Sequence, residues 1–87
     1  MLTIGTEPDP AKRLRLDWAE SLTEHMTAKG MTRKHLQRAL AEQGIEVSMQ
    51  GIGCWLRGET SPRPHHQAAL GAVFAVPARR LFPIEAA

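Results

Sequence analysis

Gln50 is the side chain in this sequence best equipped to read a flat polar edge. Its amide carries an oxygen acceptor and two N–H donors in one plane, so it can engage two neighbouring groups at once. It stands in the run VSMQGIGCWLRG, residues 47–58. Within that run Ile52, Trp55 and Leu56 follow one another at i, i+3 and i+4, the spacing of one apolar helix face. Met49, Gln50, Gly53 and Cys54 fall between those positions and face away from the stripe. They are small or uncharged, which suits close approach to something flat and narrow.

Other chemistry is poorly represented. Cys54 is the sole thiol, and no base is placed near it in sequence to activate a nucleophile. One cysteine forms neither an internal disulfide nor a metal-type pair. Four histidines are present, His25, His35, His65 and His66, but two adjacent ones on a helix are expected to point in different directions, which does not suit zinc. No paired acid, base or nucleophile set appears, so neither an enzyme nor a bound metal or cofactor is expected. The chain has 87 residues, 43% hydrophobic and 23% charged, with a net charge of +2. That is ordinary for a globular chain, and at this size only roughly 60% of the unfolded surface is buried, so the core is thin. There is no signal-peptide pattern and no apolar run near the length of a membrane span. A reducing cytoplasm is the expected setting. So small a net charge permits a nucleic-acid partner without arguing for one; the placement of the charges matters more.

The elements that must position Gln50 are helices. Residues 1–8 have no period and read as an arm; residues 9–84 read as one domain and 85–87 as a tail. Asp9 and Pro10 read as an N-cap with proline at the first helical position. Leu14, Trp18, Leu22 and Met26 then recur at i+4 steps up to Gly30, and Lys12, Arg13 and Arg15 gather at the start. Thr32 caps a second helix whose inner face is Leu36, Ala39 and Leu40 and which runs to about Gln43, closed by Gly44. Ser48 caps the third, and Gly58 followed by Pro62 ends it. Pro64 starts a fourth, His65 to about Ala75, with Leu70, Val73 and Phe74 apolar and Ala68, Ala69, Gly71 and Ala72 small. A fifth short turn spans Pro77 to Phe82. Nothing alternates with the period of a strand, so the fold class expected is all-α with five helices.

This order of parts resembles the Cro/C1-type helix-turn-helix family, the lambda-repressor-like fold. The residues that carry the resemblance are Leu36 and Leu40, Gly44, Ser48, Gln50, Ile52, Trp55, Arg57 with Gly58, Pro62, Leu70, and Val76 to Phe82. They cover roughly residues 14–83; each piece is weak alone, and the ordered set is more specific. The family's pattern has a Glu where this chain has Leu56. Gly51 and Gly53 lie inside the third helix, where each costs roughly 0.5–1 kcal/mol relative to alanine. That helix therefore depends on packing through Ile52 and Trp55.

The resemblance implies a small transcriptional regulator, repressor- or Cro-like, that binds double-stranded DNA with the helix from Ser48 to Arg57 in the major groove. Carried over from the family, Met49, Gln50, Gly53 and Cys54 occupy base-facing positions, and Arg33, Arg57 and Arg63 phosphate-facing ones. Gln50 can pair two-pronged with N6 and N7 of adenine. Thr32 and Thr60 offer neutral phosphate bonds, and His65 sits at a helix N-terminus where anions gather. Each of these also has a plain reading: Gln50, Arg57 and Arg63 as solvated surface, Trp55 and Trp18 as core. Family members usually bind as two-fold dimers on half-sites about 34 Å apart. Leu81, Phe82, Pro83 and Ile84 form an apolar chain end that either seals the core or joins two copies in a homodimer. The rival expectation is a protein-interaction module of the same fold, an antirepressor or antitoxin-like partner. The weak net charge, the few polar readers and the two glycines on the reading face favour it.

Overall fold

A computed structural model describes residues 10–83 of the chain. The expected arm and tail, Asp9 as a cap and Ile84 lie outside the described residues. Five helices form, with no strand among the described residues: α1 Pro10–Ala28, α2 Arg33–Glu42, α3 Met49–Arg57, α4 Pro64–Phe74 and α5 Ala78–Leu81. The all-helical class therefore agrees with the sequence reading.

Local chemistry explains most of the boundaries. Thr32 Oγ1 accepts from the His35 amide at 3.2 Å, while the Thr32 amide donates to His35 Nδ1 at 3.3 Å, a reciprocal cap with histidine in the place usually held by Glu or Gln. Ser48 Oγ accepts from the Gly51 amide at 3.0 Å. The far end of α3 closes on Gly58, whose φ of 74° lies in the left-handed region that glycine enters without a Cβ clash. α4 carries Pro64 in its first turn, where the missing N–H is not needed. It ends on Ala75 at φ 58°, the one non-glycine residue with positive φ among those described. The fifth helix is shorter than the Pro77–Phe82 turn expected, because Pro77 and Phe82 serve as its caps.

Packing joins these helices around one apolar cluster. Trp18, Leu22 and Met26 of α1 meet Leu36 and Leu40 of α2, Ile52 and Trp55 of α3, Leu70 and Phe74 of α4, and Leu81 with Phe82. α1 lies against α3 and α5, α2 against α3 and α4, and α4 against α5. Four expected stripe residues are only half-buried, Leu14, Ala39, Leu56 and Val73, while Ala19 and Ala69 take buried places. Gly71 is where the chain after α4 turns back onto the helix: a Cβ there would meet Val76 O at 2.8 Å and Ala78 N at 3.2 Å.

The chain end corrects one expectation. Leu81 and Phe82 are 0% and 2% exposed within a single chain, so they are not available to join two copies. The Phe82 ring lies 5.2 Å from that of Trp18. Trp18 Nε1 donates to the Pro83 carbonyl at 2.9 Å, and Ser21 Oγ donates to the Leu81 carbonyl at 2.6 Å. Of the two alternatives for this stretch, sealing the core is the one observed for Leu81 and Phe82.

Candidate nucleic-acid interface

The segment between α2 and α3 is short and held at both sides. Ile45 and Val47 pack half-buried against the core, filling the corner as expected. Gln37 Nε2, on α2, donates to the Val47 carbonyl at 2.9 Å and so fixes the chain just before the α3 cap. Ile52 is fully buried and Trp55 nearly so, which sets the rotation of α3 and turns its other side outward. Met49 is 38% exposed, Gln50 is exposed, and Cys54 is half-buried.

Gly53 departs from its expected role. It is buried, not presented at the surface. The covering groups are cationic: a Cβ on Gly53 would meet Arg57 Nη1 at 3.0 Å and Arg33 Nη1 at 3.3 Å. With no side chain of its own, Gly53 lets two guanidiniums lie against the α3 backbone. The base-facing assignment of Gly53 is thereby corrected; Met49 and Gln50 remain as the exposed part of that set.

Arg57 is engaged as well as close. Its Nε donates to Glu59 Oε2 at 2.9 Å and its Nη2 to Glu59 Oε1 at 3.3 Å, with a longer contact from Nη2 to Cys54 Sγ at 3.6 Å. The hydrogen bond from Arg57, then one from Cys54 and the Arg57 charge, hold the Glu59 carboxyl below the usual carboxylate value. The same pairing raises the already high Arg57 value. Both side chains are about half exposed, 53% and 55%, so water and salt screen the pair. Arg33 stands at the first position of α2, exposed, and no carboxylate lies in ion-pair range of it among the described residues.

The other expected contacts are placed separately. Thr32 is exposed, but its hydroxyl oxygen already serves the α2 cap. Thr60, Arg63 and His65 are exposed on the stretch that follows α3, and no hydrogen bond or ion pair among the described residues links them to Arg33 or Arg57. Arg63 is the N-cap residue of α4 without a side-chain cap bond. The two adjacent histidines do not diverge as expected: their ring centroids are 4.1 Å apart, and the His66 ring lies 5.3 Å from that of Trp55. His66 Nδ1 is buried with no hydrogen-bond partner. Burial, and then the charges of His65 and Arg63, push His66 below its ordinary value. Among the described residues no three metal-ligating side chains come together.

Two contributors escaped the sequence reading. Glu59 carries a signal, an acid two residues beyond Arg57 across a glycine. Gln37 carried none, since nothing in the α2 period marks one glutamine as the residue that reaches Val47. No helix among the described residues is long and apolar enough to cross a membrane. Comparison with models of protein families, with curated proteins and with solved structures found no match to this chain.

Proposed function

We propose that this chain is a sequence-specific double-stranded DNA-binding protein, a small transcriptional regulator of the lambda-repressor-like helix-turn-helix class. In this reading α2 and α3 form the helix-turn-helix, and α3 enters the major groove with Met49 and Gln50 toward the base edges. The observation that carries it is the orientation of α3. Ile52 and Trp55 are locked inward, and Gln50 stands exposed at the helix start, one turn before the Gly53 that Arg33 and Arg57 cover. An exposed amide on a short rigid helix, flanked by guanidiniums, suits a groove whose floor is polar and whose walls are phosphate. Arg63, Thr60 and His65, after α3, would meet the backbone on the far wall.

Selection of bound sequences from random duplexes tests this directly. A defined consensus is expected, and Gln50→Ala should relax it at one base pair, with about 1–3 kcal/mol of discrimination lost. Arg63→Ala should instead weaken all sequences alike and lower the salt dependence. A protein that enriches no duplex sequence would sink the reading. It would leave the interaction-module alternative, for which the exposed Met49 beside Gln50 offers a contact face.

A further inference from the structure

Arg33 and Arg57 reach Gly53 from different elements, one from the start of α2 and the other from the end of α3. Their Nη1 atoms lie 3.3 and 3.0 Å from one and the same point, the place a Gly53 Cβ would occupy. Two like charges held that near each other repel unless an anion lies between or beside them. Among the described residues one carboxylate serves, Glu59, and of the two arginines it engages Arg57. Planar guanidiniums bind phosphate oxygens two-pronged, and a pair of them can close on one tetrahedral anion.

We propose that Arg33 and Arg57 grip a single backbone phosphate over the bare backbone of Gly53, and that Glu59 occupies part of that seat in the free protein as an internal counter-ion. The proposal rests on the DNA-binding reading for the source of the phosphate and goes beyond it in two respects. It assigns two arginines to one phosphate instead of two, and it makes Glu59 a residue that sets affinity by competing with DNA. It also gives Gly53 a reason to persist in a helix interior, where alanine is the better helix former. As DNA docks, the Glu59 carboxylate leaves Arg57 and a phosphate oxygen takes its place; no covalent bond changes.

The salt dependence of duplex binding separates one shared phosphate from two. Each phosphate neutralised adds about 0.9 to the slope of log K against log salt. Arg33→Ala and Arg57→Ala are each expected to leave the slope nearly unchanged, because the remaining guanidinium still neutralises the phosphate, and the double variant to lower it by about 0.9. Glu59→Gln should raise duplex affinity several-fold in the natural background and leave it unchanged in Arg57→Ala. Gly53→Ala should leave thermal stability equal or higher while affinity falls. Additive slopes in the double variant, or a Glu59→Gln chain that binds no better, overturn the shared seat while DNA binding itself stands. A chain that binds no duplex is tested with inorganic phosphate, followed through the arginine side-chain N–H resonances. Arg33 and Arg57 signals moving together with one saturation curve uphold the seat without the DNA reading; signals that stay still, or move apart, reject it.

Discussion

At the junction of α1 with α5, polar side chains finish the backbone. Trp18 and Ser21 each donate to a carbonyl at the end of the described chain, beside a fully apolar contact of Phe82 with Trp18. At the outer surface of α2 and α3 the arrangement is the reverse. Arg33 has no described carboxylate in ion-pair range, Arg57 has one that water screens, and the Gln50 side chain makes no hydrogen bond with another described residue. The first region uses its polar atoms to prevent unsatisfied carbonyls, a matter of stability. The second contributes little to folding, since exposed ion pairs are worth about 0–1 kcal/mol and uncommitted cations nothing. The two guanidiniums over the Gly53 backbone thus add little to a core that is already thin.

The contrast can be broken or sharpened by substitution. The largest effect is expected from Phe82→Ala, which should lower the unfolding free energy by about 3–5 kcal/mol in chemical denaturation. A loss under 1 kcal/mol would mean that the α1–α5 junction is not the seal described. Ser21→Ala strands the Leu81 carbonyl and should cost about 1 kcal/mol, again read by denaturation. His66 comes next, on the other side of Trp55. Its folded value lies below the ordinary 6.5, so the unfolded chain binds the proton more readily. Stability should therefore be whole above that value and decline as the pH falls through it and below. His66→Phe keeps a ring against Trp55 and should flatten that slope; an unchanged profile would move the cause to another group. The smallest stability effect belongs to the other region: Gln50→Ala should shift the unfolding free energy by no more than about 0.5 kcal/mol.

Much of the helical framework was legible because glycine, proline and hydroxyl caps punctuate the chain at most boundaries. Thr32, Ser48, Gly58 and Pro64 all act as their chemistry predicts. The i+4 stripe of α1 and the inward pair Ile52 and Trp55 followed from period alone. What stayed hidden depends on elements far apart in sequence. Ser21 looks like a solvent-facing residue until α5 arrives beside it. Gly53 looks exposed by helical projection until two long side chains fold over it, one of them from another helix. The histidines misled for a related reason: 100° of helix rotation separates adjacent Cα–Cβ bonds, but side-chain torsions bring the two rings back together. Leu81 and Phe82 were legible as apolar but not as inward, because period cannot tell a core from an interface.

The bonds made by α1 have a consequence in time. Arg15 Nε reaches the Gly58 carbonyl 43 residues on, Ser21 reaches Leu81 after 60, and Trp18 reaches Pro83 after 65. Contacts so distant close only after a large loop has been drawn in, and they slow the search for the native state. On a ribosome, α1 emerges before every element that packs against it, α3 first and α5 later. Its apolar stripe stays partly open to chaperones until Leu81 and Phe82 have left the exit tunnel.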